Sequence, residues 1–297
     1  MRFQNRCVSL QFEIRGSSEI SNSKFAMVTP CVRKLHRVNG EFKIDLGTVF
    51  PTLRNAPIVE AALDIQARAG KVWDAFCVAQ QLKTLLPDYP TLDSHNRVVQ
   101  RVKLHAVGGP ETTSQDLGLI GFRVRTDAKP HIAQFNRDGF QFSRLSPYES
   151  WEGFISEAFR LWKIYIEVAK PTEVQRISLR YINRIDLPPG DTRFEDYIQP
   201  APQPPLNTGL PFYGFFHQDM LAVPGHDYSI NIVRTVQPPQ DPVSQGIGLI
   251  IDIAVSTLRP FVLVPDSLEK RLPEMRWLKN LAFYGSITQK SVDCFKC

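Results

Sequence analysis

Ten residues constrain this chain more than any others: Ile177-Ser178-Leu179-Arg180-Tyr181-Ile182-Asn183-Arg184-Ile185-Asp186. Successive side chains of a strand point to opposite faces. Ile177, Leu179, Tyr181, Asn183 and Ile185 therefore share one face, and Ser178, Arg180, Ile182, Arg184 and Asp186 the other. The first set suits a core. The second carries two arginines and an aspartate, so the segment reads as a strand between a packed layer and a polar one.

The same period recurs. Val59, Ala61, Leu63 and Ile65 alternate with Ile58, Glu60, Ala62, Asp64 and Gln66, which predicts a strand with one apolar face. Further strands are predicted at about 97–107, 117–127, 131–136 and 139–145. Asn136-Arg137-Asp138-Gly139 joins the last two, and Asp-Gly is a strong hairpin signal. Strands near 174–187, 227–237 and 247–257 follow. Helical spacing of Val72, Ala75, Phe76, Ala79, Leu82 and Leu86 predicts a helix over 71–86, ended by Pro87 and Pro90. Trp151, Phe154, Ile155, Ala158, Phe159, Trp162 and Tyr165 form the stripe of a second helix behind Ser150. Helices over 267–284 and 288–296 close the chain. Hairpins dominate, and no regular βαβ alternation occurs. The expected fold is α+β, a mostly antiparallel sheet with helices packed mainly on one face.

The expected organisation has four parts. Residues 1–50 are an extension, loosely held, of which residues 1–26 are either native or an upstream addition to a start at Met27. Residues 51–190 form an N-terminal α+β lobe. A proline-rich connection at 191–210 marks a lobe boundary. Residues 211–297 supply strands and helices that complete the same domain.

The formal charge of +5 hints at nucleic acid, but its location removes the hint. Residues 1–40 hold seven Lys/Arg and two Asp/Glu, while the remainder holds 28 of each sign. Counterion release needs clustered positive charge, so nucleic-acid binding by the neutral body is disfavoured. No apolar run reaches the ~18 residues of a membrane helix, and no signal-peptide pattern opens the chain. With five cysteines, an odd number, this favours reduced thiols and a cytoplasmic location. Cys294 and Cys297 match a bare C-x-x-C spacing, but no second ligand pair accompanies them for zinc.

No phosphate loop, dinucleotide fingerprint, nucleophile elbow or H-E-x-x-H motif is present. No cofactor and no metal are expected. Glu60 and Asp64 lie ~13 Å apart along one strand, too far to share an ion. The remaining chemistry is the polar side of the sheet. Arg123, Arg144, Arg180, Arg184 and Glu60 are candidate ligand-binding residues, since guanidinium groups recognise anions bidentately. The bland alternative is a solvated face balanced by cross-strand ion pairs. Phe212, Tyr213, Phe215 and Phe216, just past the proline-rich stretch, are candidate partner contacts. Phe140, Phe142, Tyr148, Trp151, Phe154, Phe159 and Trp162 read as core.

Four pieces together carry a resemblance. They are Leu53-Arg54-Asn55-Ala56-Pro57-Ile58-Val59-Glu60-Ala61, Phe142-Ser143-Arg144-Leu145-Ser146-Pro147-Tyr148 with Trp151 and Phe154, Arg180-Tyr181-Ile182-Asn183-Arg184-Ile185, and Phe283-Tyr284-Gly285-Ser286-Ile287-Thr288. Over about residues 53–295 the chain resembles a sporadically distributed prokaryotic family of similar size and unassigned function. The resemblance implies a cytosolic accessory protein, associated with mobile or defence genes, and carries over no catalytic residues. Two functions are expected to compete. One is a non-enzymatic binding or interaction module, self-associating or bound to a protein partner. The other is an enzyme acting on a phosphate-bearing small molecule or nucleotide through the Arg/Glu set.

Overall fold

The computed structural model describes residues 9–15, 42–103, 111–127, 131–188, 193–205, 209–210, 212–237 and 246–296. Its centre is one sheet built from β1 (Ser9–Arg15), β2 (Ile58–Gln66), β3 (Thr91–Lys103), β4 (Glu111–Arg125), β5 (His131–Asn136), β6 (Gly139–Leu145), β8 (Arg176–Leu187), β9 (Phe216–Ala222), β10 (Tyr228–Gln237) and β11 (Ile247–Thr257). The spatial order is β1-β3-β4-β5-β6-β2-β8-β11-β10-β9, and every neighbouring pair is antiparallel. A second, two-stranded sheet pairs β7 (Glu173–Val174) with β12 (Phe261–Val262). The helices are α1 (Ala75–Leu85), α2 (Trp151–Ala169), α3 (Ser267–Ser286) and α4 (Gln289–Lys296). The fold is α+β with a mostly antiparallel sheet, as the alternation predicts.

The centre of the sheet joins distant parts of the chain. β2 lies between β6 and β8, and β8 between β2 and β11. Strands from both sides of the proline-rich connection therefore share one layer. One face is apolar: Ala61, Leu63 and Ile65 of β2, Phe140 and Phe142 of β6, Leu179 and Tyr181 of β8, and Ile251 and Ile253 of β11 are all buried. α2 and α3 cover this face. Phe142 stacks on Phe154 at 5.4 Å and Phe140 meets Trp162 at 5.9 Å. The Tyr228 hydroxyl donates to Glu274 of α3 at 2.5 Å. Each such side chain removed from water contributes about 1.5–3 kcal/mol.

The helix ends follow capping chemistry. Ser150 Oγ accepts from the Gly153 N–H, and α2 ends at Lys170 in the left-handed region. The α1 helix begins at Ala75, later than the apolar spacing predicts, because Asp74 caps it by accepting from the Cys77 N–H. Val72 and Phe76, expected on its buried stripe, are 89% and 73% exposed, while Val78 takes their place inside.

Residues 42–50 run along α3. Phe42 meets Trp277 edge-on at 5.9 Å, and Phe50 stacks on Tyr284 at 5.5 Å. Of the rest of the 1–50 extension, β1 pairs with β3 and the remainder lies outside the described residues. No helix among the described residues is long and apolar enough to cross a membrane.

Candidate functional site

The second sheet face is the polar one. Following the registers from strand to strand, Asp93, Arg123, Gln134, Gln141, Asp64, Ser178, Ser256 and Ser229 stand side by side from β3 to β10. The next row holds Ser143, Ala62, Arg180, Ala254 and Asn231. A third holds Leu145, Glu60, Ile182, Asp252 and Val233. Polar residues fill the first of these rows because each strand alternates and the opposite parity is committed to the helices.

The arginines expected to bind an anion are occupied. Arg180 grips Asp252 bidentately, Nε donating to Oδ1 at 2.8 Å and Nη2 to Oδ2 at 2.5 Å. Burial pulls the Arg180 pKa down, but the Asp252 hydrogen bonds and charge more than reverse that, so the guanidinium stays protonated. Arg184 Nε donates to Asp186 at 2.7 Å. Its guanidinium lies over Gly248, where a Cβ would collide with it. Arg123 sits 3.9 Å from Asp93, which also accepts from Arg125 at 3.0 Å. Glu60 neighbours Arg180 and adds its charge to the same cluster.

Arg144 is a correction to the expected set. It shares the parity of Phe140 and Phe142 and points into the helix layer. There Nε and Nη2 donate to the Pro147 carbonyl at 3.1 and 2.9 Å, Nη1 donates to His131 Nε2 at 2.6 Å, and Nη2 also donates to Glu149 at 3.0 Å. It ties down the loop into α2. Nor do the other candidates converge. Four strand spacings separate β4 from β8, which puts Arg123 roughly 19 Å from Arg180, and Arg180 and Arg184 are ~13 Å apart along their strand. No one phosphate can meet them all. Asp252→Ala is expected to strip the largely buried Arg180 of its bidentate partner and to cost about 2 kcal/mol, read as a lower urea midpoint.

A cavity of about 360 Å³ opens on the same face, at the end of the sheet marked by the β5–β6 hairpin. Asp64, Gln66, Asn136, Gln141 and Gln175 contribute to its wall, with Arg68, Arg97 and Asp138. Some of these groups hold one another. Arg97 pairs with Asp138 at 2.6 Å, His95 Nδ1 donates to Asn136 Oδ1 at 3.0 Å, and Gln175 donates to Glu173 at 2.7 Å. The half-buried side chains of Asp64, Gln66 and Gln141 have no hydrogen-bond partner among the described residues. Two aspartates and two arginines make the lining formally neutral. The cavity therefore offers carboxylate and amide acceptors and amide donors to a polar molecule, without a net charge to attract an anion. None of these wall residues was in the expected ligand-binding set, because strand pairing rather than chain position brings them together.

On the helix side lies one more unusual group. Lys279 of α3 places Nζ 4.1 Å over the Tyr181 ring. The Tyr181 hydroxyl is 3.0 Å from that of Tyr148. Burial, helped by the charge of Arg276, pushes the Lys279 pKa down to about 7. Tyr148, Trp151, Phe154 and Tyr181, from two of the resemblance pieces, pack around this point.

The expected partner contacts divide. Phe212 and Phe215 pack on Phe194 at 5.8 and 5.2 Å, a satellite of the core. Tyr213 and Phe216 are 80% and 68% exposed. No group of three or more metal-ligating side chains occurs among the described residues. No known family profile and no curated protein matches this chain.

Proposed function

We propose that this chain is a binding module that holds a small, uncharged polar molecule in the cavity between Asp64 and Gln141. The observation that carries this reading is the contrast between two sets of polar groups. The arginines of the open face are committed to acids, whereas Asp64, Gln66 and Gln141 face a cavity with their hydrogen-bonding capacity unused. Half-buried carboxylate and amide groups without partners among the described residues are open to a ligand that bonds to them. An accessory, cytoplasmic role in a prokaryote follows from the resemblance alone. The rival enzyme reading uses Arg123, Arg144, Arg180 and Arg184 as charge clamps on a phosphate-bearing ligand with Glu60 as acid or metal ligand, and the separation of the arginines weighs against one such site.

The test is a thermal-shift screen of wild type and Gln141→Leu against nucleosides, free sugars and other uncharged polar compounds. A class of compound should raise the wild-type midpoint. Gln141→Leu should keep the fold, since its amide makes no hydrogen bond among the described residues, and should weaken binding about 10- to 100-fold through lost amide contacts. Stabilisation that persists undiminished in Gln141→Leu would place the ligand elsewhere.

A further inference from the structure

Among the described residues β9 ends the sheet, and its edge is unusually apolar. Phe216, Met220 and Leu221 are 68%, 63% and 47% exposed on a strand of seven residues. An exposed edge of this kind is a template for another strand. Its hydrogen-bonding parity can be read from one bond. Val223 N–H donates to the Tyr228 carbonyl at 3.1 Å, and the β9–β10 register runs without a bulge from there to Phe216↔Thr235. Bonded pairs alternate along an antiparallel ladder. Residues 217, 219 and 221 therefore direct their backbone groups to β10, and Phe216, Gln218, Met220 and Ala222 direct theirs outward.

We infer that β9 pairs antiparallel with β9 of a second copy of this chain, about a two-fold axis through Gln218. In this register Gln218 opposes Gln218 of the partner subunit, and Phe216 opposes Met220 of the partner subunit on both sides of the axis. All three are outward-bonding positions, so each pair exchanges two backbone hydrogen bonds. On the polar sheet face the contact reads apolar, amide, apolar. On the other face His217 opposes Asp219 of the partner subunit, twice. Within each protomer Arg234 donates to His217 Nδ1 at 3.1 Å and to Asp219 at 3.2 Å, and His217 Nε2 lies 3.8 Å from Asp219, so the pairing brings two such mixed-charge clusters together across the axis. The contact is self-complementary, as an isologous dimer requires. Sliding the strand by two residues keeps the bonding parity but sets Asp219 against Asp219 of the partner subunit in one direction, opposing like charges, and His217 against His217 of the partner subunit in the other, losing the unlike pair. The pairing joins two sheets into one and leaves the Asp64–Gln141 cavity at a distance from the interface.

The experiment is sedimentation equilibrium on the full chain over a concentration series, with Gln218→Pro and Met220→Lys. Proline at 218 removes an outward N–H and no backbone bond to β10, together with the exposed side-chain bond from Gln218 Nε2 to Asn231 Oδ1 at 2.8 Å. Lysine at 220 replaces an exposed apolar side chain with a charge beside the partner's Phe216. Wild type should sediment as a dimer, and both variants as monomers with unchanged circular dichroism and a thermal midpoint that no longer rises with concentration. A wild-type monomer at every concentration, or a dimer that survives either folded variant, would overturn the inference. Should Gln218→Pro misfold, Met220→Lys decides alone.

Discussion

Gly121→Ala should destabilise the protein by about 3 kcal/mol, a large cost for one methyl group. Gly121 on β4 stands opposite Asn136 on β5. A Cβ there would press into the Phe135 carbonyl, the Asn136 side-chain oxygen and Asn136 Cα, the last at 2.7 Å. Backbone cannot swing aside as a side-chain tip can, so the β4–β5 pairing must open. The damage reaches the candidate site, because Asn136 lines the cavity and accepts from the buried His95. Urea unfolding measures the first effect, and the loss of ligand-induced stabilisation measures the second. A change below about 1 kcal/mol would mean that the two strands do not approach as described.

Lys279→Met should stabilise the protein near neutral pH and flatten its pH dependence. The lysine pKa falls from its ordinary 10.5 to about 7 on folding, chiefly through burial. Between those values the unfolded chain holds a proton that the folded chain has released. Raising the pH through this window therefore favours folding, and below about 7 the full penalty of a buried ammonium remains. The side chain keeps part of its surface in solvent and gains from the Tyr181 ring, so the penalty is discounted to about 1–2 kcal/mol. Urea midpoints at pH 7 and pH 10 check it. The wild-type midpoint should rise between them relative to Lys279→Met, whose own change reports every other titrating group. Parallel profiles would show that Lys279 stays charged on folding.

Much of the fold was legible because strand parity is a local property. β5, β6 and β10 fall where alternation and the Asp-Gly turn predict them, and the buried side of β2 is the predicted one. β9 was missed because Phe216-His217-Gln218-Asp219-Met220-Leu221-Ala222 does not alternate. An edge strand exposed on both faces has no pattern to show. Arg144 could have been placed from sequence, since it continues the Phe140, Phe142 parity into the core. Arg234 likewise follows Tyr228, Ile230 and Ile232.

The candidate site was not legible, for a different reason. Asp64 and Gln141 become neighbours only because β6 folds back on β2, and Ser178 joins them only because β8 takes the other edge of β2. Strand order is a tertiary choice, and no short-range signal encodes it. The arginines drew attention because charge is visible in a sequence. Their acids, one on a strand more than seventy residues away in the case of Asp252, were visible only as separate residues.

The most direct test of the account compares matched pairs of probes by thermal shift: a nucleoside with its monophosphate, and a hexose with its phosphate. With its cavity neutral and its arginines already paired, the protein should be stabilised by an uncharged member and gain nothing from the added phosphate. Stabilisation by the phosphorylated members alone would contradict the proposal and return the open-face arginines to the centre of the site.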